Sequence, residues 1–251
     1  MDDPVQLLVA LAVAGMLGRA AAPAWRNRVL AIAVWRRIRP VHVLGCVGLL
    51  AVVLATALTL MRFVPFASWG LGSLIGLDGN AVFAPLQEAT ELAEQARQPG
   101  AGGAAAPAAP GPDWVLLGIA GGFLSLLLVL FPWLAYVEER VFRAGLEHAD
   151  LKSQVKAAFR FGIVHLVMLI PVGAALAIAV AGFVYGRIYR AAYRRALGAP
   201  PEFESPFGPR RIIETPARRA RTAAVMTTTV WHTTFNSLIV LIVLAGFVLA
   251  G

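Results

Sequence analysis

Apolar runs long enough to cross a membrane alternate along this chain with short polar and basic segments. Clean runs of Val, Leu, Ala and Ile extend over 41–61, 114–136 and 223–249. A shorter run over 5–17 reaches residue 24 if the helix is tilted. Because about 20 apolar residues match the hydrocarbon thickness of a bilayer, each run predicts a membrane helix. The pattern therefore predicts an all-α fold, a polytopic transmembrane helical bundle.

The segments 151–170 and 172–190 are predicted to form a pair of membrane helices that is broken at Pro171. Proline breaks a helix because it lacks an N–H and its ring clashes with the preceding turn. A break there returns the chain to the side from which it came. The basic segments 140–160 and 187–221 then lie together, as the bias of Lys and Arg towards the cytoplasm requires. With this re-entrant pair we expect about six membrane helices.

The N-terminal part of the chain is predicted to be a separate two-span region. Arg residues interleave with Trp and aliphatic residues over 19–39, which is typical of an amphipathic helix on a membrane surface. A short surface helix is predicted over 85–98. Residues 99–112 are nearly all Gly, Ala and Pro, a composition typical of a flexible linker. The chain is therefore divided into an N-terminal region, 1–113, and a core, 114–251.

The composition indicates which partners the chain has. Charged residues make up 14% of it, against roughly 25% in a soluble domain. The net charge is +8, but the Arg residues lie beside apolar runs, which suits anionic lipid headgroups better than nucleic acid. Membrane lipid is thus an expected partner, and nucleic acid is not. The single cysteine, Cys46, lies in an apolar run and is expected to be a buried thiol.

The third apolar run leads directly into Glu138-Glu139-x-x-x-Arg143. Ionisable groups at membrane depth are costly and usually serve a function. Glu139 and Arg143 are four residues apart and can pair on one helix face, whereas Glu138 points about 100° away. One carboxylate is then held in an ion pair while its neighbour is free to act as a base. The alternative is a charged helix end that lies among the lipid headgroups.

Two histidines lie inside later apolar runs, each with a partner four residues away. His165 follows Phe161, and Asn236 follows His232 in a Thr-rich half of the last run. For His165, the simpler interpretation is a buried ring that donates a hydrogen bond to a backbone carbonyl. For the last run, it is hydrogen bonding between helices, which is common in membrane bundles.

In this order, the three motifs resemble those of the CPBP family (CAAX protease and bacteriocin-processing, also called Abi) of intramembrane endopeptidases. The family patterns EExxxR, FxxxH and HxxxN match the segments 138–143, 161–165 and 232–236. The similarity covers about residues 114–249. Ala144 stands where the family often has Gly, and the long basic loop 198–221 replaces a short turn.

The resemblance implies an enzyme that hydrolyses a peptide bond of a membrane-associated substrate with a glutamate-activated water. The implied catalytic residues are Glu138 as general base, His165 as its partner at the water, and His232 and Asn236 as the oxyanion hole. Supporting roles are implied for Glu139, Arg143 and Phe161. The expected location is a bacterial cytoplasmic membrane, with the active site facing the cytoplasm. The loop 198–221 is a possible contact for a protein partner.

Three alternatives stay open. No cofactor is expected, but zinc is an alternative, in which case Glu138, His165 and His232 would be the ligands, with water in the fourth position. A non-catalytic scaffold, chaperone or immunity-type membrane protein would use the same fold to hold a partner. A proton-coupled transporter is disfavoured because the chain lacks paired inverted repeats.

Overall fold

The computed structural model describes residues 4–72, 81–83, 114–198 and 215–250. The predicted surface helix at 85–98, the linker at 99–112 and most of the loop 198–221 lie outside these residues. The α-helices of the described part are α1 Pro4–Arg26, α2 Arg28–Trp35, α3 Pro40–Phe63, α4 Trp114–Phe142, α5 Leu151–Val164, α6 Val172–Leu197 and α7 Pro216–Ala250.

The predicted all-α polytopic bundle is confirmed. Five of these helices, α1, α3, α4, α6 and α7, are long and apolar enough to cross a membrane. The helix α4 continues beyond the apolar run 114–136 through the glutamate pair to Phe142, so the first motif lies on the same helix as the third apolar run. The division of the chain at residue 113 stays a prediction.

The predicted break around Pro171 is confirmed, and it is built from several successive residues. The helix α5 ends at Val164 and tightens into a 3-10 helix, His165–Met168. Leu169 then adopts a left-handed backbone conformation with a φ of 63°, which residues that have a Cβ rarely adopt. Pro171 precedes the first residue of α6, where its missing N–H costs nothing. The chain therefore reverses within three residues.

The tip of this reversal is anchored by the segment that follows α3. The backbone N–H of Val172 donates to the carbonyl of Trp69 at 2.7 Å, and Gly70 pairs with Pro171. A Cβ on Gly70 would lie 3.0 Å from the carbonyl oxygen of Ile170, so glycine permits this close approach. The tip of the α5–α6 pair thus lies at the level where α3 ends.

Two glycines allow α5 and α6 to pack closely and antiparallel. A Cβ on Gly162 would collide with the carbonyl oxygen of Ala175 and lie 2.8 Å from the Cβ of Ala179. A Cβ on Gly182 would lie 2.7 Å from the Phe161 ring. Without an aqueous driving force, membrane helices associate largely through such close backbone contact at small residues.

A matched pair of glycine variants tests this packing. We expect Gly162→Ala to lower the free energy of unfolding by about 1–3 kcal/mol, because overpacking forces the helices apart. In Gly48→Ala, a Cβ on α3 meets open space, so the stability should stay constant or rise by about 0.5–1 kcal/mol. Thermal unfolding in detergent measures both. Equal effects of the two substitutions would contradict the close packing.

The bundle is closed on most sides around α7. The helix α7 packs along α4 and α6, α6 packs along α5, and α3 lies against both α6 and α7. By contrast, α4 and α5 touch each other at only a few positions. A core shared by α3, α6 and α7 is centred on Cys46, Tyr185 and Phe235. The predicted burial of Cys46 is confirmed.

The segment 19–39 does not form the single surface helix that was predicted. The helix α1 continues through Pro23 to Arg26, and the break falls at Asn27, whose side-chain amide donates to the Pro23 carbonyl at 2.7 Å. The shorter α2 buries Leu30 and Val34 against α4 and α7. Periodicity did not locate this break because the side-chain hydrogen bond of one residue determines it.

Basic residues gather at one end of the bundle. This end holds the C-termini of α1, α4 and α6 and the N-termini of α3, α5 and α7, as the antiparallel contacts between the helices require. The cations there include Arg26, Arg39, Arg140, Lys152, Lys156, Arg160, Arg194, Arg195, Arg218 and Arg219. The described parts of the basic segments before α5 and after α6 therefore lie at the same end of the bundle.

Candidate functional site

The last turns of α4 present two adjacent glutamates to different surroundings. Glu139 points into the bundle and its side chain is fully buried, with 0% exposure. Glu138 lies about 100° around the helix and its side chain is 35% exposed, although its Oε2 atom is buried. The predicted difference between the two carboxylates is therefore present in the structure.

The buried carboxylate of Glu139 holds two partners from different parts of the bundle. Its Oε2 lies 3.5 Å from Nε of Arg143, the predicted pair on one helix face. Its Oε1 accepts a hydrogen bond from Nδ1 of His232 at 2.9 Å. The supporting role implied for Glu139 thus takes the form of a contact with His232. Glu139 thus fixes the ring of a histidine on α7.

The Arg143 guanidinium connects this pair to α5. It is fully buried and lies over the ring of Phe161, with its Cζ 4.4 Å from the ring centroid. A desolvated cation gains about 2 kcal/mol or more from such an aromatic face. Phe161 also contacts the ring of Phe142 at the end of α4. The predicted supporting residues Glu139, Arg143 and Phe161 are therefore in mutual contact.

His165 is positioned by the junction between α5 and the 3-10 helix. Its Nδ1 lies 2.7 Å from the carbonyl oxygen of Phe161. Because a carbonyl only accepts, Nδ1 carries the proton and Nε2 is left free. That Nε2 lies 4.0 Å from Oε2 of Glu138. The ring therefore satisfies both interpretations of the sequence, since it donates to a backbone carbonyl and also faces the glutamate.

Two histidine rings and one carboxylate converge on a single point. Nε2 of His232 lies 3.8 Å from the same Oε2 of Glu138 that faces His165. Two polar atoms share one water when they lie within about 5.6 Å, twice an ordinary hydrogen-bond length. Both separations are well below this limit. Each histidine nitrogen is therefore close enough to Oε2 of Glu138 to share a water or a substrate oxygen with it, and we name these three atoms the cradle.

The hydrogen-bond inventory constrains the protons of this cradle. Nδ1 of His232 donates to the Glu139 carboxylate, as Nδ1 of His165 does to a carbonyl, so each neutral ring offers Nε2 as an acceptor. Oε2 of Glu138 is a third acceptor at the same place. His232 differs from His165 in that it faces both carboxylates, through Nδ1 to Glu139 and through Nε2 to Glu138.

Asn236 lies one helical turn beyond His232 on α7 and is half-buried. Its side-chain amide makes no hydrogen bond within the described part of the chain. The structure therefore brings Glu138, His165 and His232 together, while Asn236 lies deeper along the same helix. Its predicted role in the oxyanion hole stays a prediction.

Sequence analysis did not identify Tyr185, which lies against the site from α6. Its ring is stacked on that of His232, with centroids 5.0 Å apart and planes inclined by 28°. It is buried, and its hydroxyl has no hydrogen-bond partner in the described part of the chain. Tyr185, Tyr189 and Tyr193 recur every fourth residue of a helix otherwise rich in Ala, and this stripe was the available signal.

In the Thr-rich half of α7, the interhelical hydrogen bond that was considered is formed by His232, to Glu139 on α4, and not by the threonines named next. The hydroxyls of Thr227, Thr228, Thr229 and Thr234 donate to carbonyls three or four residues earlier in α7 itself. These threonines are compatible with apolar surroundings because their hydroxyls are satisfied within the helix. The contact of α7 with α3 instead uses the Cys46 thiol, which donates to the Trp231 carbonyl at 3.3 Å.

A second polar cluster, not identified from the sequence, joins three segments at the basic end. Oε1 of Glu147, in the segment after α4, accepts hydrogen bonds from the Tyr189 hydroxyl at 2.8 Å and from Nε of Arg221. Burial alone would raise the pKa of the Glu147 carboxyl. Hydrogen bonds from its own backbone, Arg221 and Tyr189 outweigh burial and lower the pKa below its ordinary value of 4.5.

This cluster predicts a stability that depends on pH. A carboxyl whose pKa is lowered on folding stabilises the fold above its ordinary value of 4.5, and that contribution is lost as the pH falls below it. We expect wild-type thermal stability to decrease as the pH is lowered through this range. Glu147→Gln should be less stable at neutral pH and should show a smaller decrease. Parallel melting curves of the two proteins would contradict the expectation.

The residues named for zinc fit it only in part. Two free Nε2 atoms and a carboxylate oxygen are the right chemistry for such a site. Tetrahedral zinc places its ligand atoms about 3.4 Å apart, whereas the two separations here are 3.8 and 4.0 Å. Among the described residues, no group of three or more His, Cys, Asp or Glu side chains meets the criteria for a metal site. The observed separations lie between the spacing of ligands on one zinc and the spacing of about 4.6 Å between two tetrahedral hydrogen-bond partners of one water.

No family model, curated protein or solved structure matches this chain.

Proposed function

We propose that this chain is an intramembrane endopeptidase in which Glu138 activates a water for attack on a peptide bond. The observation that carries the proposal is the convergence of two histidine Nε2 atoms on one oxygen of a half-exposed glutamate, inside an apolar bundle. A buried carboxylate that served only packing would be paired, as Glu139 is. Glu138 is instead left with two histidines and no direct hydrogen bond to its Oε2.

The geometry supports a specific division of labour. Glu138 takes a proton from the water, and the resulting hydroxide attacks the carbonyl carbon of the substrate. The Nε2–H of protonated His232 donates to the oxygen that becomes negative, with the Asn236 amide as a second donor. His165 holds the water through Nε2. The proton on Glu138 then passes to the nitrogen of the departing amine as the C–N bond breaks. The products are therefore a neutral carboxylic acid and a neutral amine.

The resemblance to the CPBP family supports the same assignment. Six of the seven motif residues are linked by contacts in the structure, all except Asn236: Glu138, Glu139, Arg143, Phe161, His165 and His232. We place the basic end of the bundle in the cytoplasm of a bacterial cell, because loops rich in Lys and Arg stay on that side. The site lies near this end, since Glu138 is four residues from the end of α4.

Variants at the cradle test the proposal. We expect Glu138→Gln, His165→Ala and His232→Ala each to lower cleavage by about 10²–10⁴-fold, the usual contribution of an acid–base group. Mass spectrometry of new N-termini in host membrane proteins measures cleavage in cells that express each variant. His148→Ala is the matched control, because His148 packs against Tyr193 outside the site, and it should cleave normally.

Two further outcomes distinguish the proposal from a non-catalytic scaffold. Glu138→Gln should insert and melt like the wild type and should retain bound substrate that mass spectrometry can identify. Glu139→Gln should instead lower stability, because it leaves Arg143 buried without its partner. A partner that co-purifies equally with wild type and Glu138→Gln, without any new N-terminus, would establish the scaffold and exclude the protease.

A zinc-dependent form of the same reaction is favoured by one observation, that the Nδ1 atoms of both histidines are occupied and their Nε2 atoms are free. In that form zinc would polarise the water, and Glu138, His165 and His232 would hold it. The glutamate form predicts full cleavage after prolonged dialysis against a chelator. The zinc-dependent form would replace the glutamate form if three results were obtained. Cleavage would be lost on chelation, it would return with zinc, and elemental analysis would find one metal per chain.

A further inference from the structure

The short helix α2 connects two candidate membrane spans at the basic end of the bundle. The spans α1 and α3 both have an end there, so α2 lies at the level where they leave the membrane. Its two faces differ in exposure. Leu30 and Val34 are buried on the inner face, whereas Val29 and Ile32, on the opposite face, are 59% and 49% exposed. The outer face of α2 therefore presents an apolar stripe at the membrane surface.

The inner face of α2 joins the two helices that carry most of the site. Its buried residues share one apolar cluster with residues of α4 and α7: Leu30, Val34, Trp133, Tyr136, Met226 and Val230. Tyr136 is two residues before Glu138, and Val230 is two residues before His232. The helix α2 is thus a strap across α4 and α7, close to the residues that form the cradle.

Arginines flank α2 at both ends, and the neighbouring sequence has no acidic residue to balance them. Residues 4–77 contain no Asp or Glu. The flanking arginines are exposed except for the half-buried Arg37, and they are Arg26, Arg28, Arg36, Arg37 and Arg39. Arg28 lies over the ring of Trp25, with its Cζ 5.4 Å from the centroid. None of the five pairs with a carboxylate among the described residues, so their counter-charge comes from elsewhere.

We propose that the outer face of α2 and these five arginines form a binding surface for the headgroups of anionic phospholipids. We name it the α2 surface. A guanidinium group binds phosphate oxygens through two parallel N–H groups, and several cations beside a bilayer add their attractions. The apolar stripe lies between the two groups of arginines and enters the boundary between headgroups and acyl chains. A soluble anion would use the arginines but not the stripe.

This inference goes beyond the proposed function and does not depend on it. It assigns a place and a headgroup class to the lipid contact that the composition indicates only in general. It also has a consequence for the fold. A ligand that binds only the folded state stabilises that state. Because the inner face of α2 holds α4 and α7, lipid bound at the outer face should stabilise the contact between these two helices.

Native mass spectrometry of the full chain in a neutral detergent tests the binding. Phosphatidylglycerol and phosphatidylcholine with the same acyl chains are titrated separately. One variant removes three charges from the α2 surface, Arg26→Gln with Arg36→Gln and Arg37→Gln. We expect this variant to bind phosphatidylglycerol at least about tenfold more weakly than the wild type, with phosphatidylcholine binding unchanged.

A matched control removes three exposed charges from α5 at the same end of the bundle. It carries Lys152→Gln, Lys156→Gln and Arg160→Gln. This control should bind phosphatidylglycerol within about twofold of the wild type. An equal loss of binding in the two triple variants would show only a general effect of net charge and would overturn the α2 surface.

The apolar stripe distinguishes a lipid from a soluble phosphate. Val29→Ser with Ile32→Ser keeps every arginine and should weaken phosphatidylglycerol binding several-fold. An excess of inorganic phosphate should leave the lipid bound to the wild type. Displacement of the lipid by phosphate, with no effect of the two serines, would establish a site for soluble phosphate and overturn the lipid surface.

Thermal unfolding in nanodiscs tests the consequence for the fold. Phosphatidylglycerol added to phosphatidylcholine should raise the unfolding temperature of the wild type and of the α5 control. The increase in the α2 triple variant should be less than half as large. Each protein is compared with its own value in phosphatidylcholine, so a lower intrinsic stability does not affect the result. Equal increases in all three proteins would overturn the link between lipid and strap. Neither measurement requires cleavage, so each result stands whether or not the chain is a protease.

Discussion

The structure depends on one fully buried carboxylate, that of Glu139. It lies between Nε of Arg143 and Nδ1 of His232, and the Arg143 guanidinium in turn lies over Phe161. Three helices, α4, α5 and α7, are thereby held around a single negative charge. Leaving one member of such a buried pair alone typically costs 3–5 kcal/mol, more than a marginally stable bundle tolerates easily. The positions of both histidine rings relative to Glu138 follow from this arrangement.

Adjacent glutamates differ here because a helix turns by about 100° at each residue. That rotation buries the carboxylate of Glu139 fully and gives it two partners. The carboxylate of Glu138 is partly exposed, and its Oε2 has no direct hydrogen-bond partner. A protein thus obtains a structural and a reactive carboxylate from two consecutive residues. Each of the two histidine rings shows the same division between its nitrogen atoms. Nδ1 is hydrogen-bonded to a fixed part of the bundle, whereas Nε2 faces the partly exposed Glu138.

Much of this arrangement could be predicted from the sequence. Apolar length identified the spans, Pro171 marked the reversal, and a spacing of four residues identified the Glu139–Arg143 pair. These features are local, so periodicity and backbone chemistry determine them. The bond from His232 to Glu139 could not be predicted, because it joins residues 93 positions apart, and nothing local indicated that Tyr185 would stack on His232. The break at Asn27 within the predicted helix 19–39 was missed, because the residues on both sides of it continue the same periodic pattern.

The hydrogen bond from Val172 to the Trp69 carbonyl also has a consequence for the order in which the bundle is assembled during synthesis. The helix α5 begins with Lys152, Lys156 and Arg160 within ten residues, so its insertion into lipid alone is unfavourable. The chain emerges from the ribosome with α3 and Trp69 well before α5 and α6. The anchor for the tip of this re-entrant pair is therefore synthesised before the pair itself, so the pair meets its partner as soon as it is made.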